Sequence, residues 1–191
     1  MKSTTRCSWC EEDPLYIEYH DTEWGVPLRD EQKLFEFLIL ETFQAGLSWI
    51  TILRKRENFR KALDNFDYKT IALYDEEKIT ELLQDAGIIR NKLKVKATIS
   101  NAIAFMQIQT EFGSFNKYIW SFVNNIPIQN DNKSISEVKA STTISDKLSK
   151  DLKKRGFKFI GPTVIYAYIQ AIGMVNDHTV DCFRHQEVQI N

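Results

Sequence analysis

The chain has 191 residues, 43% of them apolar and 27% charged, with a formal net charge of −1. That length suffices for one globular unit or two small lobes sharing a core. The near-neutral balance excludes nucleic-acid binding by bulk charge, so any such binding needs a local basic patch.

No apolar run approaches the roughly 18 residues of a membrane span, and the polar start Met1-Lys2-Ser3-Thr4-Thr5-Arg6 has no apolar segment behind it. The expectation is a cytoplasmic protein with no membrane partner. Three cysteines, Cys7, Cys10 and Cys182, are too few and too scattered for a disulfide framework.

Taken in order, the segment before Asp30 reads as irregular, and the rest as a string of amphipathic helices. Asp30 is placed to cap a helix through Phe43 that Gly46 ends. Ser48 is placed to cap the next, with Trp49, Ile52, Leu53, Phe59 and Leu63 as its apolar positions. Asp67 and Asp75 open two short helices, the second ending at Gly87. Asn91 opens a longer one with Val95, Ile99, Ala102, Ile103 and Met106 in register, and Ser114 one carrying Phe115, Tyr118, Ile119 and Phe122. From Asn124 to Thr143 the chain is mostly polar and reads as a long loop. A helix from about Ile144 stops at Gly156, and Pro162 begins one more. The expected fold class is all-α, with no repeat, heptad or convincing alternating strand.

Three features carry chemistry. In Leu40-Glu41-Thr42-Phe43-Gln44-Ala45-Gly46-Leu47-Ser48-Trp49 a lone carboxylate stands among apolar residues, on a helical face with Leu34, Leu38 and Ala45. An ionised Glu on such a face is costly unless something hydrogen-bonds it, so Glu41 is either a satisfied structural acid or a site.

Lys154-Arg155-Gly156-Phe157-Lys158-Phe159-Ile160-Gly161-Pro162-Thr163 joins two helices through a short loop with two glycines. The second glycine precedes a Pro-started helix, whose free backbone N–H groups can bind a phosphate. Around it lie Lys147, Lys150, Lys153, Lys154, Arg155 and Lys158 against Asp146 and Asp151. The pattern resembles a helix-hairpin-helix over about 144–173, which grips one DNA backbone without reading sequence. An ordinary αα-corner with a solvated basic face has the same pattern.

Third, Cys7 and His20 stand at one end of the chain and His178-Thr179-Val180-Asp181-Cys182 at the other. The His-x3-Cys spacing lets two side chains converge over about one helical turn, and Cys7 with His20 completes a tetrahedral set for zinc. Cys7-Ser8-Trp9-Cys10 is a rival Cys-x2-Cys pair in which Cys10 replaces His20. His185 reads as a solvent histidine.

At the level of blocks, Asp13-Pro14-Leu15-Tyr16-Ile17-Glu18-Tyr19-His20-Asp21-Thr22-Glu23-Trp24-Gly25-Val26-Pro27 resembles the N-terminal signature of the 3-methyladenine DNA glycosylase I family, bacterial alkylation-repair enzymes. Gln44 to Trp49, Gln84 to Arg90, Trp120 to Asn124, Lys153 to Phe159 and Val175 to His178 resemble its other blocks, in order, between Cys7 and Cys182.

The resemblance implies a single glycosylase domain over 1–191, with a helix-hairpin-helix and a second lobe built from the two ends around a structural zinc. Its zinc pattern falls on Cys7, His20, His178 and Cys182. Its base-pocket positions fall on Glu41 and Tyr19, taken as catalytic, and on Trp49, with Trp24 and Trp9 as further aromatic walls. Gly46 and Leu47 match the wedge that fills the gap left by a flipped nucleotide. Lys158, Gly161 and Thr163 fall in the hairpin that holds DNA.

The implied activity is monofunctional hydrolysis of 3-methyladenine from double-stranded DNA by a monomer. Many helix-hairpin-helix glycosylases carry a catalytic Asp about twenty residues after the hairpin's second glycine, which this family lacks. Asp181 stands at that spacing from Gly161 beside Cys182 and is read as structural or exposed. Two other classes share these features: a non-catalytic DNA-binding module and a zinc-stapled protein adaptor.

Overall fold

The computed structural model describes residues 4–10 and 12–189. Within them ten α-helices form: α1 (Pro14–Thr22), α2 (Glu31–Gln44), α3 (Trp49–Ala62), α4 (Tyr68–Ile71), α5 (Glu76–Gln84), α6 (Lys92–Phe112), α7 (Phe115–Ser121), α8 (Thr143–Lys154), α9 (Pro162–Ala171) and α10 (Phe183–Glu187). No described helix is long and apolar enough to cross a membrane.

The starts follow side-chain chemistry. Asp30, Asp67, Asp75, Asn91 and Ser114 each accept a backbone N–H in the first turn that follows them, which satisfies donors the helix itself cannot. Ser48 occupies the start of α3 but bonds the Thr51 hydroxyl at 2.8 Å instead of a backbone N–H. Thr142 and Ser145 form a reciprocal capping box at α8.

Four expectations are corrected. The segment before Asp30 is not irregular: Asp13 caps α1 with Pro14 in its first turn. α2 is no amphipathic helix with Glu41 on one stripe, because Leu34 to Phe43 are buried all round while Ala45 is exposed. Ile103 of α6 points to solvent, and Phe105 and Ile108 take the core positions. The region read as a loop also holds a two-residue strand, β1 (Ile128–Gln129), paired in parallel with β2 (Val175–Asn176).

α2 is the central element, packed against α3, α6, α7 and α9. Each large apolar side chain it buries stabilises the fold by roughly 1.5–3 kcal/mol, so its sequence tolerates no polar residue without a reason. The segment between α1 and α2 runs along the end of α9: Gly25 N–H donates to Gln170 O at 3.2 Å and Leu28 N–H to Ile172 O at 3.0 Å. Gly173 makes this approach possible. It has φ +70°, and a Cβ there would lie 2.3 Å from the Val26 carbonyl carbon. That contact sets the segment after α1 against the end of α9, while α1 itself packs on α3.

Candidate active site and metal cluster

Glu41 lies in the last turn of α2 and is 3% exposed. Its Oε2 has no hydrogen-bond partner, and burial pushes its carboxyl up to about 8. Only four buried side-chain polar atoms among the described residues lack a partner, and the Nε1 of Trp49 is another. Leaving such a group unpaired costs about 1–3 kcal/mol. Both residues face one cavity of about 210 Å³, lined also by Trp9, Tyr16, Tyr19, Trp24, Gln44, Ile135, Val138, Ala167 and Gln170. Two unsatisfied groups in one cavity are a stronger sign of a missing ligand than either alone.

The walls are aromatic. Trp9 meets Trp24 edge-on with ring centroids 5.0 Å apart and Tyr16 at 4.8 Å, while Tyr19 lies 5.5 Å from Trp49. Burial, followed by the Glu41 carboxylate, pushes the Tyr19 phenol well above its ordinary value, so it remains an O–H donor. The cavity thus combines electron-rich ring faces, a carboxyl group with unmet capacity and phenol donors. A planar, electron-poor cation bearing N–H groups satisfies all three.

The expected site residues Glu41, Tyr19, Trp49, Trp24 and Trp9 therefore meet in one place. Sequence reasoning missed Tyr16, present there only within a block of the resemblance, and five more: Gln44, Ile135, Val138, Ala167 and Gln170. Gln44 stands one helical turn from Glu41, but the last four come from the long loop and α9 and carry no local signal.

Gly46 and Leu47 form the turn between α2 and α3. Gly46 has φ +85° with nothing near its missing Cβ, and Leu47 is 40% exposed. Lys94, at the start of α6, donates to Phe43 O and Ala45 O, each at 2.9 Å, and so closes the open end of α2 just before this turn.

Lys158 and Gly161 lie in the α8–α9 connection and Thr163 in the first turn of α9, and Lys158 and Thr163 are exposed. Gly161 has no positive φ and no neighbour within 4 Å of its missing Cβ, so nothing inside the protein requires a glycine there. Asn101 of α6 pins this loop through Lys158 N–H to its Oδ1 at 2.8 Å and its Nδ2 to Lys158 O at 3.2 Å. Of the six basic residues near the loop, Arg155 is committed inward, paired with Glu111 and Asp151. Lys147, Lys150, Lys153, Lys154 and Lys158 remain exposed.

Cys7, His20, His178 and Cys182 are all buried, with their ligating atoms within 4.8 Å of one another. The Cys7 Sγ–His178 Nδ1, Cys182 Sγ–His178 Nδ1 and Cys182 Sγ–His20 Nε2 separations are 3.6, 3.6 and 3.5 Å. Metal–sulfur bonds of about 2.3 Å and metal–nitrogen bonds of about 2.0–2.1 Å at tetrahedral angles give an S···N edge near 3.6 Å. The four donors therefore fit a tetrahedral metal ion. Hydrogen bonding from Cys7, then from the two imidazoles, holds the Cys182 thiol below its ordinary value, and the same pairing, with burial, holds Cys7 above its own, so the two sulfurs share one proton until a cation displaces it.

Outer partners orient both rings: His20 Nδ1 bonds Asp21 Oδ1 at 2.7 Å and His178 Nε2 bonds Trp24 O at 3.1 Å. The rival Cys10 turns its thiol onto Cys7 O at 3.2 Å and stays outside the cluster. His185 is not a solvent histidine: it is 6% exposed with Nε2 3.0 Å from Asn130 O. Asp181 is exposed.

The cluster and the cavity share walls. The Trp24 ring lies 4.6 Å from His178, and Trp9 lies 5.3 Å from His20.

Comparison with known proteins extends over the same residues. The methyladenine glycosylase family model matches residues 9–185. The chain is 52% identical over 177 residues to DNA-3-methyladenine glycosylase 1 of Escherichia coli K12, covering 93% of this chain and 95% of that one. It is 49% identical over 179 residues to DNA-3-methyladenine glycosylase of Haemophilus influenzae, covering 94% and 97%. The crystal structure of a 3-methyladenine DNA glycosylase I (TAG) superposes with a TM-score of 0.91 at 51% identity, over 94% of this chain and 98% of that one. A Staphylococcus aureus TAG structure described for its recognition of 3-methyladenine matches at 0.91 with 36% identity, over 93% and 95%.

Proposed function

On the premise that this chain belongs to the methyladenine glycosylase family, we propose that its aromatic cavity receives a flipped, N3-methylated adenine and that Glu41 is the group that selects it. The protein is a DNA-3-methyladenine glycosylase, a hydrolase of N-glycosyl bonds in DNA repair. The bond from the sugar to the base breaks, water adds at the sugar carbon, and the base leaves as free 3-methyladenine from an abasic site.

Methylation at N3 puts a positive charge on the base and makes it a good leaving group, so the enzyme's main task is selection. Stacked tryptophans attract a cation by about 0.5–2 kcal/mol per contact, and Glu41, which holds its proton in the protein alone and gives it up beside the cationic base, adds roughly 1.5–3 kcal/mol for a charge-assisted hydrogen bond. Trp49, Trp24 and Trp9 fill the first role, Glu41 the second, and Tyr19 holds its phenol beside the base. The unpaired Glu41 Oε2 in a cavity shared with the unpaired Trp49 Nε1 carries the reading.

The substrate is double-stranded DNA. The helix-hairpin-helix of α8 and α9 holds one backbone through the N–H groups after Gly161, with Lys158 and Thr163 beside it, while Gly46 lets Leu47 enter the stack. The whole chain acts as one glycosylase domain, working as a monomer.

Cys7, His20, His178 and Cys182 hold a structural zinc. Its contribution is to fasten the N-terminal segment that carries Trp9, Tyr19 and Trp24 to the segment of His178 and Cys182, with no part in bond breaking. Incubating methylated duplex DNA with the protein and separating the freed bases tests the activity. Release of 3-methyladenine is expected, and its absence overturns the reading. Glu41→Gln is expected to lower release by about 10- to 100-fold.

A further inference from the structure

Asp177 is 1% exposed and is the most thoroughly hydrogen-bonded carboxylate near the cavity. Its Oδ1 accepts from Asn130 Nδ2 at 2.7 Å and Asn132 Nδ2 at 2.8 Å. Its Oδ2 accepts from the Tyr166 hydroxyl at 2.7 Å and from Gln170 Nε2 at 2.6 Å. Four donors surround it, and no Lys, Arg or His lies among them. Each of the four is an N–H or O–H group that donates, so both carboxylate oxygens serve here only as acceptors.

The orientation of Gln170 follows from that chemistry. Gln170 turns its NH2 group toward the accepting Asp177 Oδ2, so its amide oxygen points the other way. Gln170 is also a wall of the aromatic cavity, and its Oε1 accepts no hydrogen bond from any described residue. Its backbone is fixed as well, because Gln170 O accepts from Gly25 and Gly173 N–H.

We propose that Gln170 is a specificity-determining residue of the base pocket, with Asp177 acting as the positioning residue that holds its Oε1 as a hydrogen-bond acceptor toward an N–H edge of the electron-poor purine. The inference rests on this cavity being the one that takes 3-methyladenine. With Glu41 it gives the pocket a second acceptor that an exposed glutamine, free to turn its amide, cannot supply. Asp177 never touches the base. Its loop partners Asn130 and Asn132 precede Ile135 and Val138, which line the same cavity, so the carboxylate also ties that stretch to α9.

The test measures binding of free 3-methyladenine through quenching of tryptophan fluorescence, beside release of the base from methylated duplex DNA. Gln170→Met keeps the volume and removes the acceptor, and should weaken base binding roughly tenfold, the loss of about one net hydrogen bond. Asp177→Asn puts an NH2 group opposite Gln170, which reverses the amide and presents a donor to the pocket, so it should weaken binding at least as much. The combined exchange Asp177→Asn with Gln170→Glu restores an acceptor on both sides and should recover binding to within about threefold of the parent protein, which a merely structural role does not predict.

Thermal unfolding checks that each variant is folded; if the position-177 variants do not fold, Gln170→Met decides alone. Unchanged binding in Gln170→Met overturns the role of Gln170. A folded combined variant that binds no better than Asp177→Asn overturns the role of Asp177. If the parent protein itself neither binds nor releases 3-methyladenine, it is the assignment of the pocket that fails, and the variants are not needed to see it.

Discussion

Glu41 is the residue whose burial the fold can least explain by stability. Its carboxyl is raised to about 8 by burial, from an ordinary 4.5. The folded protein therefore holds a proton that the unfolded chain releases, and stability falls as pH climbs from about 4.5 to about 8, with no further loss above. Glu41→Gln should flatten this part of the stability–pH curve and make the variant about 1–3 kcal/mol more stable than the parent at pH 8.5, as measured by urea unfolding. An unchanged slope would place the cost elsewhere. At this scale the sequence was informative where one residue broke a pattern, as Glu41 does inside an apolar run. It was silent where meaning depends on distant donors. Asp177 looks like any acid before a histidine until Asn130 and Asn132 are folded onto it, and His185 looks solvent-facing until Asn130 O covers it.

Among the elements, α6 does more than fill the core. Lys94 closes the end of α2 beside Leu47, and Asn101 pins the α8–α9 loop. The two are seven residues apart, hence on one face and about 10 Å apart along the axis. One rigid helix thus sets the spacing between the turn proposed to enter the DNA stack and the loop proposed to hold the backbone. Lys94→Met should strand the Phe43 and Ala45 carbonyls, lower stability by about 1–3 kcal/mol and reduce base release from duplex DNA. Leu47→Ala, at an exposed position, should leave the urea midpoint unchanged and free-base binding intact while slowing release from duplex at least about tenfold. Slower release with equally weakened free-base binding would move Leu47 from the wedge into the pocket. Helix starts were legible because caps are local. α1 was not, since Asp13-Pro14 is a start signal attached to a segment without clear apolar periodicity. Nor was the short β1–β2 pair, whose partners are separated by five intervening helical and loop segments.

For the molecule as a whole, the cluster of Cys7, His20, His178 and Cys182 joins the segments that supply Trp9, Tyr19 and Trp24. Zinc analysis should find one ion per chain, lost in Cys182→Ser. Chelation should lower the thermal midpoint and weaken base binding while α2 and α6 keep their protection from hydrogen exchange. A chelated protein with unaltered base affinity would separate the metal from the pocket. The set was hard to see in the sequence because its halves are far apart in chain order, although they are neighbours in space: Phe183 N–H donates to Thr5 O at 3.1 Å. A circular permutant makes the point concrete. Join the segment after α10 to the one before Cys7 through a short linker and open the chain in the exposed stretch before Thr142. All four candidate ligands, four of the aromatic walls and the Gly173 contact then fall within one continuous piece, a Cys/His set that any reader of motifs would find at once. The discontinuity is one of chain order alone, and in space the four candidate ligands and the walls beside them form a single local unit.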